Sequence, residues 1–150
     1  MAMEDVVRWL RGEHSELNCC ADRLREKVAK TPPAARQNWI EDLRTRFDDF
    51  AACCRQHMAG EEQRGYLKPV AEARPALMEA VTLLKREHEE LTRIIDSLQR
   101  AIHGLTPKAR LLLRDCCKRV DDLLYWVERH EEHENHLVLY AFSETGRPQS

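Results

Sequence analysis

The chain has 150 residues, of which 43% are hydrophobic and 33% are charged, which is typical of one folded domain and excludes a disordered chain. The 24 basic and 26 acidic residues leave a net charge of −2, so the charge balance predicts binding to neither nucleic acid nor an anionic membrane. No stretch of 18 residues is free of charged side chains, which excludes a membrane-spanning helix.

The first two segments of the chain are predicted to be amphipathic helices, separated by Thr31-Pro32-Pro33. Apolar residues recur at alternating steps of three and four, which places them on one face of an α-helix. The face of the first helix carries Val7, Leu10, His14, Leu17, Ala21, Leu24 and Val28. The face of the second helix carries Ile40, Leu43, Phe47, Phe50, Cys54, His57 and Glu61.

A break from Gly65 to Pro75 precedes two more helices of the same kind. Thr106 before Pro107 predicts the start of the last one, because threonine caps helices and proline favours the first helical position. The face of the third helix carries Val81, Leu84, His88, Leu91, Ile95, Leu98 and Ile102. The face of the fourth carries Leu113, Cys116, Val120, Leu123, Val127, His130, Glu134 and Leu137.

The two halves of the sequence resemble each other. EHSEL from Glu13 matches EHEEL 74 residues later, and HMAGE from His57 matches HEEHE 73 residues later. The sequence therefore predicts an all-α fold of two similar helical hairpins, arranged as an up-down-up-down antiparallel four-helix bundle. We expect the bundle to span residues 1–142 and residues 143–150, which include Gly146 and Pro148, to form a flexible tail.

Six residues on the apolar faces are polar, which an apolar core does not tolerate without compensation. Burying an unpaired carboxylate costs several kcal/mol, and a metal ion is the strongest local compensation. His57 and Glu61 are four residues apart, as are His130 and Glu134, so each pair lies on one helix face. The predicted metal ligands are His14, His57, Glu61, His88, His130 and Glu134.

Four nitrogen and two oxygen ligands suit iron, manganese, zinc or cobalt. Two carboxylates shared by four histidines suit two ions better than one, because each carboxylate can bridge. The neighbouring acids Glu62 and Glu131 are predicted to be surface charges, with an outer partner or an extra ligand as the alternative. A ferritin-like site needs a Glu-x-x-His pair and a zinc protease needs HExxH; the sequence contains neither.

Six cysteines occur as three adjacent pairs, at positions 19–20, 53–54 and 116–117. None has the spacing of a zinc ribbon. The N-terminal segment has no secretory signal, so we expect a cytoplasmic protein with reduced thiols that pack as small apolar groups. The alternative for the first two pairs is a set of thiols that report oxidation at the metal centre.

The motifs Glu13-His14, HMAGEE from His57, Glu87-His88 and HEEHEN from His130 resemble those of the hemerythrin-like, HHE cation-binding family. The resemblance extends from about Val6 to Phe142. It implies a four-helix bundle that holds a non-haem pair of iron ions with an oxo or hydroxo bridge. Carried over, Glu61 and Glu134 bridge the irons, His14 and His57 bind one iron, and His88 and His130 bind the other.

Two departures from the oxygen-carrying members of that family bear on function. Those members have a fifth histidine on the third helix, where this chain has Leu84 and Thr92 four residues on either side of His88. They also separate the last histidine and acid by five residues, whereas His130 and Glu134 are four apart. We therefore expect one iron to be more open, which disfavours simple oxygen carriage.

The resemblance implies a protein that binds, senses or reacts with a small ligand, namely dioxygen, nitric oxide or peroxide. If the protein is an enzyme, peroxide decomposition or another redox reaction at the iron pair is the expected activity. The alternative is a non-enzymatic module whose metal state controls the binding of a protein partner, which the sequence does not identify. A bundle with an inert structural zinc is a third hypothesis.

Overall fold

The computed structural model describes residues 3–31, 36–63 and 67–142. These residues form four long α-helices, one short α-helix and a single 3-10 turn at Pro75–Leu77, and the described ranges contain no strand, as predicted. The helices are α1 (Met3–Val28), α2 (Arg36–Gln63), α3 (Leu67–Ala73), α4 (Met78–His103) and α5 (Arg110–Phe142). The predicted tail, residues 143–150, lies outside the described residues.

The four long helices form the predicted antiparallel bundle. Helix α1 packs against α2 and α5, and α4 packs against the same two helices, so each long helix has two neighbours. None of the described helices is both long enough and apolar enough to cross a bilayer.

Charged and polar groups complement the ends of α1 and α4. Helix α1 begins with Glu4 and Asp5 and ends with Arg25 and Lys27, which places each charge at the helix end of opposite sign. At the end of α4 the Gly104 N–H donates to the Arg100 carbonyl at 3.0 Å. The guanidinium of Arg44 on α2 donates to the carbonyls of His103 and Leu105 at 3.2 and 2.8 Å. These bonds satisfy carbonyls that the helix leaves unpaired.

The predicted start of the last helix at Thr106 is wrong. Residues 107–108 form a turn in which the Ala109 N–H donates to the Thr106 carbonyl at 3.1 Å. Helix α5 begins at Arg110, and the Ala109 carbonyl accepts the bond from the Leu113 N–H at 3.0 Å. Proline at position 107 therefore favours a turn before the helix rather than its first residue.

Helix α3 lies inside the segment that the sequence predicts to be a break. Its Leu67 and Val70 are three residues apart and fully buried, so the segment has one apolar side that folds onto the bundle. They pack with Val6, Leu10 and other residues of α1, α4 and α5. Because α2 contributes no residue to this cluster, α3 supplies the fourth side of the bundle at that end.

The apolar core consists of two clusters. The larger contains Phe47 and Phe50, whose ring centroids lie 6.4 Å apart. The smaller contains Leu10, Leu84 and Leu137 together with the residues of α3. On α1, α4 and α5 the predicted histidines lie between the residues of the two clusters, so the polar residues form a layer that separates them.

The six cysteines are free thiols. Cys54 and Cys116 are buried in the larger core cluster, as expected for small packing groups. Burial and the adjacent thiol of Cys20 raise the pKa of Cys53 to about 12, so this half-buried thiol stays protonated. Trp126 on α5 is 53% exposed, and its indole contacts the ring of Tyr125.

Candidate metal centre

The structure brings the six predicted ligands together in one buried layer. Each long helix contributes to it, and every one of the six residues is at most 6% exposed. They are His14 from α1, His57 and Glu61 from α2, His88 from α4, and His130 and Glu134 from α5. Their convergence follows from the antiparallel packing, which aligns these positions of the four apolar faces.

The four histidines form two similar pairs. The ring centroids of His14 and His57 lie 5.1 Å apart with an interplanar angle of 60°. Those of His88 and His130 lie 4.9 Å apart with an angle of 59°. This is the division that the resemblance implies, and it reflects the internal repeat of the sequence.

The two glutamates lie between the pairs. Glu134 Oε1 is 3.0 Å from Nε2 of His130. The same oxygen is 3.7 Å from Nε2 of both His14 and His57. Glu61 contacts Nε2 of His57, and its other oxygen is 3.5 Å from Nε2 of His88. Each carboxylate therefore contacts histidines of both pairs.

These atoms form two groups with the composition of a metal site. In each group the potential ligand atoms lie within 4.8 Å of one another, and Glu134 belongs to both. The Nε2 atoms of all four histidines are buried and form no hydrogen bond of acceptable geometry, although a glutamate oxygen lies close to each. Buried nitrogen atoms without such bonds are costly, so the residues fit metal ions that accept the four lone pairs. The groups are Glu61, His88, His130 and Glu134, and His14, His57 and Glu134.

The other ring nitrogen of each histidine faces a second carboxylate. In the tautomer that leaves Nε2 for a metal, Nδ1 of His57 donates to Glu13 at 3.3 Å and Nδ1 of His130 donates to Glu87 at 2.9 Å. Such outer carboxylates orient ligating histidines and make them stronger ligands. Similarly, Nδ1 of His88 lies 3.1 Å from Glu62, and Nδ1 of His14 lies 3.9 Å from Glu131.

The carboxylates also control the protonation of the layer. Burial lowers the pKa of His57, but the carboxylates of Glu134 and Glu61 outweigh burial and raise the pKa to about 10. The pKa of His130 is raised to about 9 in the same way, chiefly by Glu134. Burial raises the pKa of Glu134, but its contacts with Glu61 and the histidines outweigh burial and hold it well below the ordinary value. The layer thus attracts positive charge, which protons or metal ions supply in competition.

A comparison with known families identifies the chain. A model described as hemerythrin HHE cation binding domain matches residues 5–142. The chain belongs to the hemerythrin HHE family. No curated protein and no solved structure matched it. HHE domains bind metal cations, and the buried histidine–glutamate layer is where this hemerythrin-family protein has suitable ligands.

Some residues around the layer of this HHE domain were not predicted from the sequence. Glu13 and Glu87 are two of them, although the Glu-His dipeptide that repeats in both hairpins is a signal for their side chains. Glu62 is an outer partner, one of the two alternatives for that residue. Glu131 is 7% exposed, so the prediction of a surface charge is wrong for it. Burial raises its pKa to about 7, against the opposing effect of His14 and His57.

Trp9 on α1 lies beside the candidate metal layer of the domain. Its indole stacks on His57 with ring centroids 6.3 Å apart and an interplanar angle of 16°. Gly60 makes room for it, because a Cβ at position 60 would lie 3.3 Å from Cζ2 of Trp9. The glycine inside α2 therefore has a packing reason.

We expect Gly60→Ala to displace the indole of Trp9 and to change the near-ultraviolet circular dichroism of the protein. Alanine stabilises a helix interior by about 1 kcal/mol over glycine, and the crowding of Trp9 opposes that gain. The matched control is Gly12→Ala in α1, where an added Cβ meets nothing within 4 Å. Urea unfolding should show that Gly12→Ala raises the free energy of unfolding by about 1 kcal/mol and that Gly60→Ala raises it by less. Equal gains in the two variants would contradict the packing role.

Proposed function

We propose that this protein is a non-haem di-iron protein that binds, senses or reacts with a small ligand at the histidine–glutamate layer. The observation that carries the proposal is the convergence of four buried Nε2 atoms, none with a hydrogen bond of acceptable geometry, on two shared carboxylates. The proposed ligands of the two irons are the six predicted residues. Glu61 and Glu134 are the shared ligands, and each histidine pair serves one ion.

Iron is the favoured metal because of the donor set. Each of the two groups contains two histidines and at least one carboxylate. Iron sites that react with small molecules use two histidines and one carboxylate and keep coordination positions open. The absence of a fifth histidine supports such an open position, since buried Leu84 occupies one of the two places on α4 where a second nitrogen ligand could lie.

The surface around the layer supports access for small ligands. His14 lines a groove of about 700 Å³ that α1 and α5 border. His88 lines a groove of about 430 Å³ between α2 and α4, and His130 lines one of about 450 Å³ between α4 and α5. The ligand histidines are nonetheless at most 6% exposed, so we infer that dioxygen, nitric oxide or peroxide is admitted and larger substrates are excluded.

When bound, an iron pair supplies reversible electron transfer and an exchangeable coordination position. The protein side chains supply the rest. The outer carboxylates hold the imidazole rings in one tautomer and orientation, and the two apolar clusters keep bulk water away from the layer. Disproportionation of two hydrogen peroxide molecules into dioxygen and two water molecules needs no other reactant, which makes it the first enzymatic activity to test.

A sensor function is the second candidate, because the layer takes ligands from all four long helices. Metal binding to such a site stabilises the folded bundle by mass action. Loss or oxidation of the metal would loosen all four helices together and alter the surface offered to a protein partner. The expected result for this candidate is a large loss of helicity on chelation without peroxide turnover.

The deciding experiment is metal analysis with a visible absorption spectrum, on protein purified without added metal. We expect about two irons per chain, charge-transfer absorption of a ferric pair, and loss of both on chelation after reduction. His136→Ala is the control variant and should keep its metal, because His136 is exposed and lies outside the layer. Stoichiometric zinc, or no metal even after anaerobic loading with iron, would contradict the proposal.

A further inference from the structure

Most of the exposed large apolar side chains lie on one helix, α5. In the part of the chain that the structure describes, nine such side chains are exposed, and six of them belong to α5. These six are 53 to 79% exposed and occupy positions 111–112, 125–126 and 139–140. Single exposed apolar residues are normal on a protein surface, whereas a series of them along one helix indicates an interaction surface.

The three apolar pairs are regularly spaced along α5. Each pair follows the previous one after 14 residues, which is two heptads, the repeat that keeps one side of a helix in contact with a partner helix. The series extends over about 44 Å, at 1.5 Å per residue. Val120 and Val127 are buried in the larger core cluster, so the exposed pairs face away from the bundle. We call the exposed side of residues 111–140 the α5 stripe.

Charged residues alternate with the apolar pairs at the same heptad spacing. The basic dipeptide Lys118-Arg119 lies seven residues before Tyr125-Trp126, and Glu132-His133 lies seven residues after it. Closer to this centre, Asp122 precedes Tyr125 by three residues and Arg129 follows Trp126 by three. The α5 stripe therefore carries opposite charges at equal distances on the two sides of its centre.

This charge arrangement is complementary to itself in an antiparallel orientation. With a two-fold axis at Tyr125-Trp126, Arg119 of one copy faces Glu132 of a second copy. Asp122 of one copy then faces Arg129 of the other, and the apolar pairs at the two ends face each other. A parallel pair of α5 helices would instead place Asp122 opposite Asp122 and Arg129 opposite Arg129, and such like-charge contacts are strongly unfavourable.

The centre of the α5 stripe has the residue types that dominate protein–protein binding. The rings of Tyr125 and Trp126 have their centroids 5.4 Å apart, and the guanidinium of Arg129 lies 5.9 Å from the centroid of the Tyr125 ring. Tryptophan, tyrosine and arginine are the commonest hot-spot residues of interfaces. These three side chains line the groove of about 450 Å³ between α4 and α5, together with exposed Ile94. The groove has room for an aromatic side chain of a partner.

We propose that the α5 stripe is a dimerisation surface, which binds the α5 stripe of a second copy of this chain in antiparallel orientation. A second copy is the fitting partner because the complementary charges all lie on the same surface. The apolar pairs at the two ends lie at the rim of this interface, since packed helices cross at about 20° and diverge from their centre, and rim residues contribute little to binding. The proposal is independent of the metal-binding function, because none of the six predicted ligands belongs to the stripe.

The test is the molar mass of the full chain in solution, measured by sedimentation equilibrium over a range of protein concentrations. Asp122→Arg places an arginine opposite Arg129 of the other copy, and it does so twice in a symmetric dimer. The double variant Asp122→Arg, Arg129→Asp restores opposite charges at both places. Glu26→Arg is the control, because it makes the same change of charge at an exposed position of α1. Circular dichroism and metal content report whether each variant is folded and loaded.

We expect the unsubstituted protein to form a dimer of twice the 17.6 kDa chain mass. Asp122→Arg should weaken the dimer by about 10-fold or more, because two like-charge contacts replace two attractive ones. Trp126→Ala should weaken it by a similar factor or more through the loss of a central anchor. The double variant should recover most of the affinity, and Glu26→Arg should not change it.

Three results would overturn the proposal. The first is a monomer at every concentration, which would leave the α5 stripe to a different protein or to solvent. The second is a dimer that neither Asp122→Arg nor Trp126→Ala weakens. The third is a dimer that the double variant fails to restore although the variant is folded. Each of these results is separate from a failure of the proposed metal-binding function, which the metal analysis reports.

Discussion

Replacing Glu134 with alanine should reduce the metal content from about two ions per chain to less than one. Glu134 is 0% exposed and its carboxylate belongs to both groups of potential ligand atoms. Removing it therefore takes a ligand from each proposed ion and leaves the two histidine pairs with only one of their two shared carboxylates. Metal analysis after purification in parallel with the unsubstituted protein measures the effect.

A matched substitution distinguishes a shared ligand from a ligand of one ion. His14 belongs to only one of the two groups, so His14→Ala should leave about one ion per chain. Glu132→Ala, on the same helix as Glu134, should leave both ions in place because it lies at the surface and pairs with Arg129. Two ions retained in Glu134→Ala would show that the carboxylate is not a shared ligand.

The second large effect is expected in the apolar core. Phe50→Ala should destabilise the protein by about 3–5 kcal/mol, because it removes a large side chain from a close-packed interior and leaves a cavity. Phe50 is 0% exposed and contacts Phe47 in the larger cluster. For a chain of this length such a change lowers the thermal midpoint by on the order of 10 °C. Urea unfolding followed by circular dichroism measures it directly.

The control for the core variant is Leu111→Ala. Leu111 is 79% exposed, so its truncation should change the free energy of unfolding by no more than about 0.5 kcal/mol. Phe50 precedes His57 by seven residues, about 10 Å along α2. The metal content of folded Phe50→Ala should therefore equal that of the unsubstituted protein. A destabilisation well below this range would contradict the close packing at Phe50. Metal loss from the folded variant would indicate that the larger cluster and the layer are not independent.

Stability and metal binding depend on different parts of the bundle. The larger apolar cluster supplies stability on one side, while the layer places costly groups where only a cation compensates them. Stability and metal binding should respond to different substitutions, as the Phe50 and Glu134 variants test.

Much of the architecture is determined by the sequence alone. Helical periodicity is a local property, and the steps of three and four marked each long helix and its buried face. Histidines and acids on those faces stand out because an apolar core does not tolerate them unpaired. The repeat of His57 and Glu61 in His130 and Glu134 then indicated a two-fold site before any contact between helices was known.

The tertiary structure alone decided the surroundings of that site. The stacking of Trp9 on His57, the pairing of Glu87 with His130 and the burial of Glu131 depend on which helices are neighbours and how each is rotated. Helix α3 likewise forms because the end of the bundle offers an apolar surface to Leu67 and Val70. Spacing along a chain specifies which residues share a face, whereas contacts across helices arise only when the faces pack together.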